Sequence, residues 1–309
     1  MGADGATRTG LVTGAAAPQL TKDGQRLLAA LQARGHTVDP VRWDDPSVTW
    51  EEYDCLIVRS CWQYHTNRAA FRDWIDTVEQ ADAHVLNAPD VLRWNMHKSY
   101  LRDLDRREVS VVPTEYITQG STQDLSTILE RTGWTDAVVK PVVGTSAHDV
   151  WRVQTPVTPA AATRFRDQRS DTDVLVQPFV PAVTEGELSM VFFGGEFSHA
   201  YRTVPATADF RAHPNFGASV EPADPSAPLL DQARAVVTTA GTALGMDASA
   251  FVYARVDGVE RDGAFELMEL ELVEPYLGLM MSDRGVDRFV EAIGAALDRR
   301  MDATRLEGR

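Results

Sequence analysis

The sequence predicts an α/β protein, with a parallel N-terminal sheet followed by mixed α+β lobes. Three observations carry this. In residues 1–88 short apolar runs alternate with amphipathic stretches, the order that builds parallel sheets through helical crossovers. Later, "GELSMVFFGGEFSHAYRTV" and the pair "ASAFVYARVDG" and "AFELMELELVEP" each read as two strands folded back at glycines, which makes them antiparallel. Finally, 309 residues, 44% hydrophobic and 24% charged, are enough for more than one lobe.

Taken in order, "GLVTGA" is a short strand, and residues 22–34 form a helix with Leu27, Leu28 and Leu31 on one face. "HTVDPVRW" and "DCLIVRS" are strands. Phe71, Trp74, Ile75 and Val78 recur at the spacing of an amphipathic helix. "AHVLN" is a fourth strand, ended by Asn87 and Pro89. "VTGAAA" lacks the G-x-G-x-x-G spacing, so a nicotinamide-dependent enzyme is not expected. A helix is predicted from Trp94 to Arg107, then a strand in "VSVVPTEYI" and a helix over 122–132. "WTDAVVKPVVGTSAHDVWRV" reads as strand, loop, strand, and "TDVLVQPFV" as a further strand. The hairpin at Gly194-Gly195 is followed by "PATADFRAHPNFGASVEP", whose lack of periodicity predicts a loop. Residues 228–245 are a helix, the second hairpin turns on Gly258 and Gly263, and a last helix covers 285–300. The polar tail "ATRLEGR" is expected to fray. The predicted domains are 1–88, a substrate domain; 89–180, a small lobe with its lead-in helix; and 181–309, a C-terminal lobe.

The formal charge is 30 minus 45, or −15. Nucleic acid and anionic membranes need a basic surface, so neither is an expected partner. No apolar run approaches the ~18 residues of a membrane span, and "MGADGATRTG" has no apolar leader. With two cysteines, Cys55 and Cys61, at no zinc spacing, reduced thiols in a cytoplasmic protein are expected. Oligomeric state is not legible, and a homodimer stays open.

The chemistry gathers near the end. In "ELMELELVEP", alternation places Leu267, Glu269, Glu271 and Val273 on one face and Met268, Leu270 and Leu272 on the other. The two carboxylates are then about 7 Å apart. A plain solvated face would account for them. So would a hard divalent cation, which takes oxygen ligands and relieves their repulsion. The preceding strand adds Arg255 and Asp257 on one face, and the hairpin can bring Asp257 to both glutamates. Upstream, Lys140 ends an apolar run before Pro141 and the loop "GTSAHD", a setting that suits phosphate. Lys98 lies near a predicted helix start.

In that order the parts resemble the ATP-grasp superfamily over residues 85–280, with the first 85 resembling its preceding α/β domain. Those parts are Lys98, the Lys140-Pro141 strand end with its glycine loop, "VLVQPFVPAVTEGE", Arg202 after the Gly-Gly hairpin, Asp257, and Glu269 and Glu271 before Pro275. The resemblance implies a C–N ligase that uses ATP with two Mg²⁺. Lys98 and Lys140 would hold phosphates, and Asp257, Glu269 and Glu271 would bind the metal. Gln177, Phe179 and Val180 would meet adenine, with Val180 as the donor because Pro178 has no N–H. Glu185, or alternatively Glu187, would bind the ribose. Arg202 and Arg255 would stabilise the transferring charge, while Arg211 and Asn215 would close over phosphate or substrate. Many members have Asn in place of Glu271, so this chain carries an extra charge there. Open α/β sheets bind ligands at strand ends, and "VRSCWQYH" is such an end of the first domain: Arg59 would pair the carboxylate of an amino-acid-like substrate and Ser60, Trp62 and Tyr64 would line its pocket, unless Trp62 and Tyr64 only pack the domain seam.

Within the superfamily, "RSCWQYH", "NAPDVLRWNMHKSYL" and "LMELELVEP" are most similar to the D-cycloserine synthetase group, which closes the ring of O-ureido-D-serine. An intermolecular carboxylate–amine ligase of glutathione or D-alanyl-D-alanine type is the alternative. A non-catalytic nucleotide-binding regulator would not need both lysines, all three acids and the arginines.

Overall fold

The computed structural model describes residues 7–307. Residues 1–6, read above for the absence of a leader, lie outside the described residues, as do the last two of the polar tail.

The first sheet follows the alternation. β1 (Arg8–Thr13), α1 (Lys22–Ala33), β2 (Thr37–Arg42), β3 (Cys55–Ser60), α2 (Arg68–Gln80) and β4 (His84–Leu86) give four parallel strands in the order β2-β1-β3-β4. Thr21 starts α1, its hydroxyl accepting the Gly24 N–H at 3.1 Å. α2 buries Phe71, Trp74, Ile75 and Val78, the stripe its spacing predicts.

The single helix predicted over Trp94–Arg107 is instead two, α3 (Pro89–Asn95) and α4 (Tyr100–Asp105). Pro89 occupies the first turn of α3, where its missing N–H costs nothing. Val91, Tyr100, Leu101 and Leu104 pack with Leu188, Phe192 and Leu270, so both helices lie on the last sheet.

A four-stranded antiparallel sheet comes next. It comprises β5 (Glu115–Ile117), α5 (Leu125–Thr132), β6 (Asp136–Pro141), β7 (Trp151–Gln154), α6 (Pro159–Asp171) and β8 (Val174–Pro178), in strand order β5-β8-β6-β7. α6 was not legible in the sequence: it buries only Phe165 and Arg169, too little for an apolar stripe. The last sheet has β9 (Glu187–Phe193), β10 (Glu196–Val204), β11 (Ser219–Ala223), α7 (Ala227–Ala243), β12 (Tyr253–Arg261) and β13 (Ala264–Glu271), in order β11-β10-β9-β12-β13. β11 falls in the segment predicted to be loop. It is an edge strand with no buried residue, so no core-facing alternation marks it. α8 (Gly285–Glu307) runs into the tail expected to fray.

β13 departs from strict alternation. Asp257 pairs with Glu269 but Gly258 pairs with Leu267, leaving Met268 as the extra residue of a bulge. Leu267 thereby turns to the core with Leu270, and Met268 joins Val112, Val180, Val183 and Val259. Gly258 lies opposite the bulge rather than in the turn, which is Asp262-Gly263. A Cβ at Gly258 would stand 2.4 Å from the Glu266 carbonyl oxygen and 2.5 Å from the Phe265 ring. Gly258→Ala is therefore expected to cost about 2–3 kcal/mol and to lower the melting temperature by roughly 3–5 °C. Unchanged thermal unfolding would show that the bulge relaxes.

As an edge strand, β13 needs partners on its open side. Leu267 exchanges backbone bonds with Ser110 and Val112 at 2.8 and 3.1 Å. The Leu270 N–H donates to the Tyr100 hydroxyl at 3.0 Å. Asn95 donates to the Leu270 carbonyl at 2.8 Å and accepts the Leu272 N–H at 2.7 Å. Asn87, buried at the seam with the first domain, donates to the Tyr253 and Leu272 carbonyls at 2.9 and 2.8 Å and accepts the Val252 N–H at 2.8 Å. These bonds fix the backbone that carries Glu269 and Glu271.

Candidate active site

Two cavities of about 360 and 190 Å³ adjoin where the three sheets meet. The larger lies among Trp62 and Tyr64 of the first domain, Tyr201 and Thr203 of β10, and Glu274 and Tyr276 beyond β13. The smaller lies between β6 and β8 on one side and β12 and β13 on the other. Lys98, Glu187, Arg255, Glu269 and Glu271 line both, together with the loop Gly144–Ser146.

The shared wall is held by charge. The Arg255 Nε donates to Asp257 Oδ1 at 2.9 Å and Nη2 to Oδ2 at 2.8 Å. The same Nη2 reaches Glu271 Oε1 at 2.6 Å, and Nη1 donates to the Tyr276 carbonyl at 3.0 Å. Ser189 donates to Asp257 Oδ1 at 2.7 Å. Lys98 Nζ lies 2.8 Å from Glu269 Oε1 and donates to the Gly144 carbonyl at 3.0 Å. Lys140 is buried in the smaller cavity without an ion-pair partner among the described residues.

The groups titrate accordingly. Burial pushes Glu187 up to about 8, and Asp257 adds to the push. Burial also pushes Glu271 up to about 8, which Arg255, already shared with Asp257, only partly opposes. Burial acts on Glu269 in the same direction, but Lys98 and Lys140 outweigh it and hold its carboxyl below the usual range. Burial lowers the Lys140 ammonium, Glu269 opposes that and Lys98 reinforces it. Burial, then Glu271, drives Glu274 well above the usual range.

Asp257, Glu269 and Glu271 converge as the sequence suggested, with Lys98 and Lys140 beside them. Yet among the described residues no three His, Cys, Asp or Glu side chains form a ready metal cage, because Arg255 and Lys98 stand between the carboxylates. The donor set still suits Mg²⁺ arriving with phosphate, since the wall holds more acid than its cations neutralise and all donors are oxygens. Gln177, Phe179 and Val180 line the smaller cavity. The Phe179 N–H is engaged by the Asp136 carbonyl at 2.9 Å, whereas the Val180 N–H has no protein partner among the described residues. Arg211 lines the same cavity, but its guanidinium is held by Asp209 at 2.6 Å and stacks 3.4 Å over Phe216. Asn215, Trp62 and Tyr64 line the larger cavity.

Four candidates are placed elsewhere. Arg202 lies on the opposite face of β10: Tyr201 and Thr203 face the cavity, so period two turns Arg202 away, over Gly186, whose carbonyl it meets at 3.2 Å. Glu185 is exposed in the turn before β9, and Glu187, the alternate, faces both cavities. Arg59 is buried beneath the cavity, donating to the Pro275 carbonyl at 2.9 Å and lying over the Tyr253 and Phe289 rings. Ser60 is buried against the Thr13 hydroxyl at 2.8 Å. Tyr201, Ser189, Met268, Tyr276 and Glu274 were missed. Only Ser189 and Tyr201 carried a signal, namely their two-residue phase with Glu187 and Thr203.

The D-cycloserine synthetase DcsG N-terminal domain family matches residues 9–87, and the ATP-grasp domain family of prokaryotic glutathione synthetase matches residues 105–259. The cycloserine biosynthesis protein DcsG of Streptomyces lavendulae is 31% identical over 309 positions, covering 93% of this chain and 98% of that one. The chain belongs to the ATP-grasp ligase family. Within that family it is most like the D-cycloserine synthetase group. The crystal structure of D-cycloserine synthetase DcsG has a TM-score of 0.84 at 28% identity, covering 94% of this chain and 99% of that chain. D-alanine–D-alanine ligase of Bacillus anthracis, complexed with ATP, shares the fold with a TM-score of 0.66 at 16% identity, covering 97% of this chain and 100% of that chain. As an ATP-grasp ligase this chain is an enzyme that forms a C–N bond using ATP, in general with Mg²⁺. Among the described residues no helix is long and apolar enough to cross a membrane.

Proposed function

We propose that this ligase cyclises O-ureido-D-serine to D-cycloserine. The observation that carries the reading is the arrangement of two adjoining chambers around one charged wall, one of about 190 Å³ between β6 and β8 and β12 and β13 with Lys140 in it, and an acceptor chamber of about 360 Å³. That volume is near the lower end for small-molecule sites and suits one amino-acid-like molecule. The overall likeness to DcsG supports the same substrate.

In this reading Val180 N–H and the apolar group of Met268 and Phe179 receive adenine. Glu187 takes the ribose. Lys98 and Lys140 hold phosphate oxygens. Asp257, Glu269 and Glu271 would hold two Mg²⁺, which when bound neutralise phosphate charge. Arg255 fixes Asp257 and Glu271 and turns positive charge toward the site of transfer. Trp62, Tyr64 and Asn215 hold the substrate so that its carboxylate oxygen attacks the γ-phosphorus and ADP leaves. The oxygen-bound ureido nitrogen then attacks the acyl carbon, phosphate departs and the nitrogen gives up its proton; the carbamoyl group left on that nitrogen is removed by water as carbon dioxide and ammonia, giving D-cycloserine. Such chemistry asks the protein mainly for positioning and charge neutralisation.

The test is ADP release across a panel of amino acids, with and without a second amine. Release on O-ureido-D-serine alone, with D-cycloserine formed, is the expected result. Release only when an amine partner is added would replace it with an intermolecular ligase.

A further inference from the structure

The acceptor chamber has an acid whose partner is missing. Its wall carries Glu187, Glu269, Glu271 and Glu274 against Lys98, Arg255 and His213. The two strong cations are occupied, Lys98 by Glu269 and Arg255 by Asp257 and Glu271. Glu274 is only 7% exposed, yet it lines the chamber and has no hydrogen bond or ion pair among the described residues. Arg59, the other buried cation in this region, gives its guanidinium to the Pro275 carbonyl and to two aromatic rings. Buried polar groups are normally satisfied, and a carboxyl group aimed into a cavity can be satisfied by what enters it. Trp62, Tyr64 and Tyr276 line the same chamber, and aromatic rings tolerate a cation at their faces.

We propose that Glu274 is the ammonium anchor of the acceptor chamber. It binds the cationic amino group of the substrate, while the substrate's carboxylate is turned toward Arg255 and the nucleotide. This rests on the ligase reading above and adds a specificity-determining residue to it. The rule it implies is simple: a substrate must carry an amino group at a fixed distance from the carboxylate that is activated. The chamber's two strong cations, Lys98 and Arg255, already face acids, so a second carboxylate on the substrate is disfavoured.

The experiment measures ADP release on O-ureido-D-serine and on its deamino analogue, with hydrogen in place of the ammonium group. Wild type, Glu274→Gln and Glu274→Asp are compared, after thermal unfolding confirms that each is folded. Wild type should prefer the amino compound by about 100-fold in kcat/KM, as for a charge-assisted hydrogen bond. Glu274→Gln should lose most of that preference through a raised KM for the amino compound, with KM for ATP within about twofold. Glu274→Asp should keep part of it. An undiminished preference in Glu274→Gln would overturn the proposal. So would a changed Mg²⁺ requirement with the preference intact, which would make Glu274 a metal ligand. If wild type releases ADP with another amino acid instead, the cyclisation reading falls, and the comparison is made on that compound and its deamino form. If nothing is turned over, calorimetric binding of O-ureido-D-serine decides. No binding to wild type, or equal binding to wild type and Glu274→Gln, would overturn the anchor.

Discussion

Replacing Glu269 by Gln is expected to leave the protein folded and to lower ADP release about a thousandfold, the scale of losing a preorganised charge at a transfer site. Glu269 stands on the wall common to both chambers and pairs with Lys98 at 2.8 Å. Gln keeps the shape and an oxygen for the Lys98 ammonium, so the stability cost should be about 1–3 kcal/mol. The charge that would balance a metal ion is lost. Thermal unfolding and ADP release read the two effects separately. Full activity in Glu269→Gln would show that this carboxylate takes no part in the reaction, and Glu271 and Asp257 would have to hold the metal alone.

Lys140→Ala has the second largest expected effect, and its two readouts should move apart. Lys140 is a buried cation with no ion-pair partner among the described residues, and burial lowers its ammonium from the ordinary lysine value. Such a group destabilises a fold until an anion arrives. Removing it should leave the melting temperature of the ligand-free protein unchanged or higher, while KM for ATP rises by about 100-fold because a phosphate contact is gone. The opposite pattern, a large drop in melting temperature with ATP dependence unchanged, would make Lys140 a structural residue. A stability gain on removing a functional charge is the usual trade between activity and stability.

The two hairpins illustrate what could and could not be read in advance. Period two placed Arg255 and Asp257 together, and the structure keeps them on the cavity side. The same period, followed through β10, would have placed Tyr201 and Thr203 in the cavity and Arg202 behind the sheet; the resemblance pointed to Arg202 instead. In β13 the period itself failed. A single extra residue, Met268, reverses the faces on one side of the bulge, and nothing in "ELMELEL" marks which residue is the extra one. The mark lies in the partner strand, where Gly258 alone can sit under Phe265. Arg59 and Ser60 were misplaced for a related reason. β3 is a central strand, buried along its whole length, so a polar residue at its end need not face solvent or substrate.

The sequence by itself determined the class of fold, the order of its lobes and the residues of the charged wall. These follow from local periodicity and from an ordered set of lysines and acids, which survive without coordinates. Only the tertiary structure decided which face each strand presents, that Asn87 and Asn95 clamp the strand bearing the acids, and that Glu274 has no hydrogen bond or ion pair among the described residues. Those facts depend on pairings between residues up to 185 positions apart in the chain. Register, bulges and unmet charge are properties of contacts between segments, and no single segment carries them.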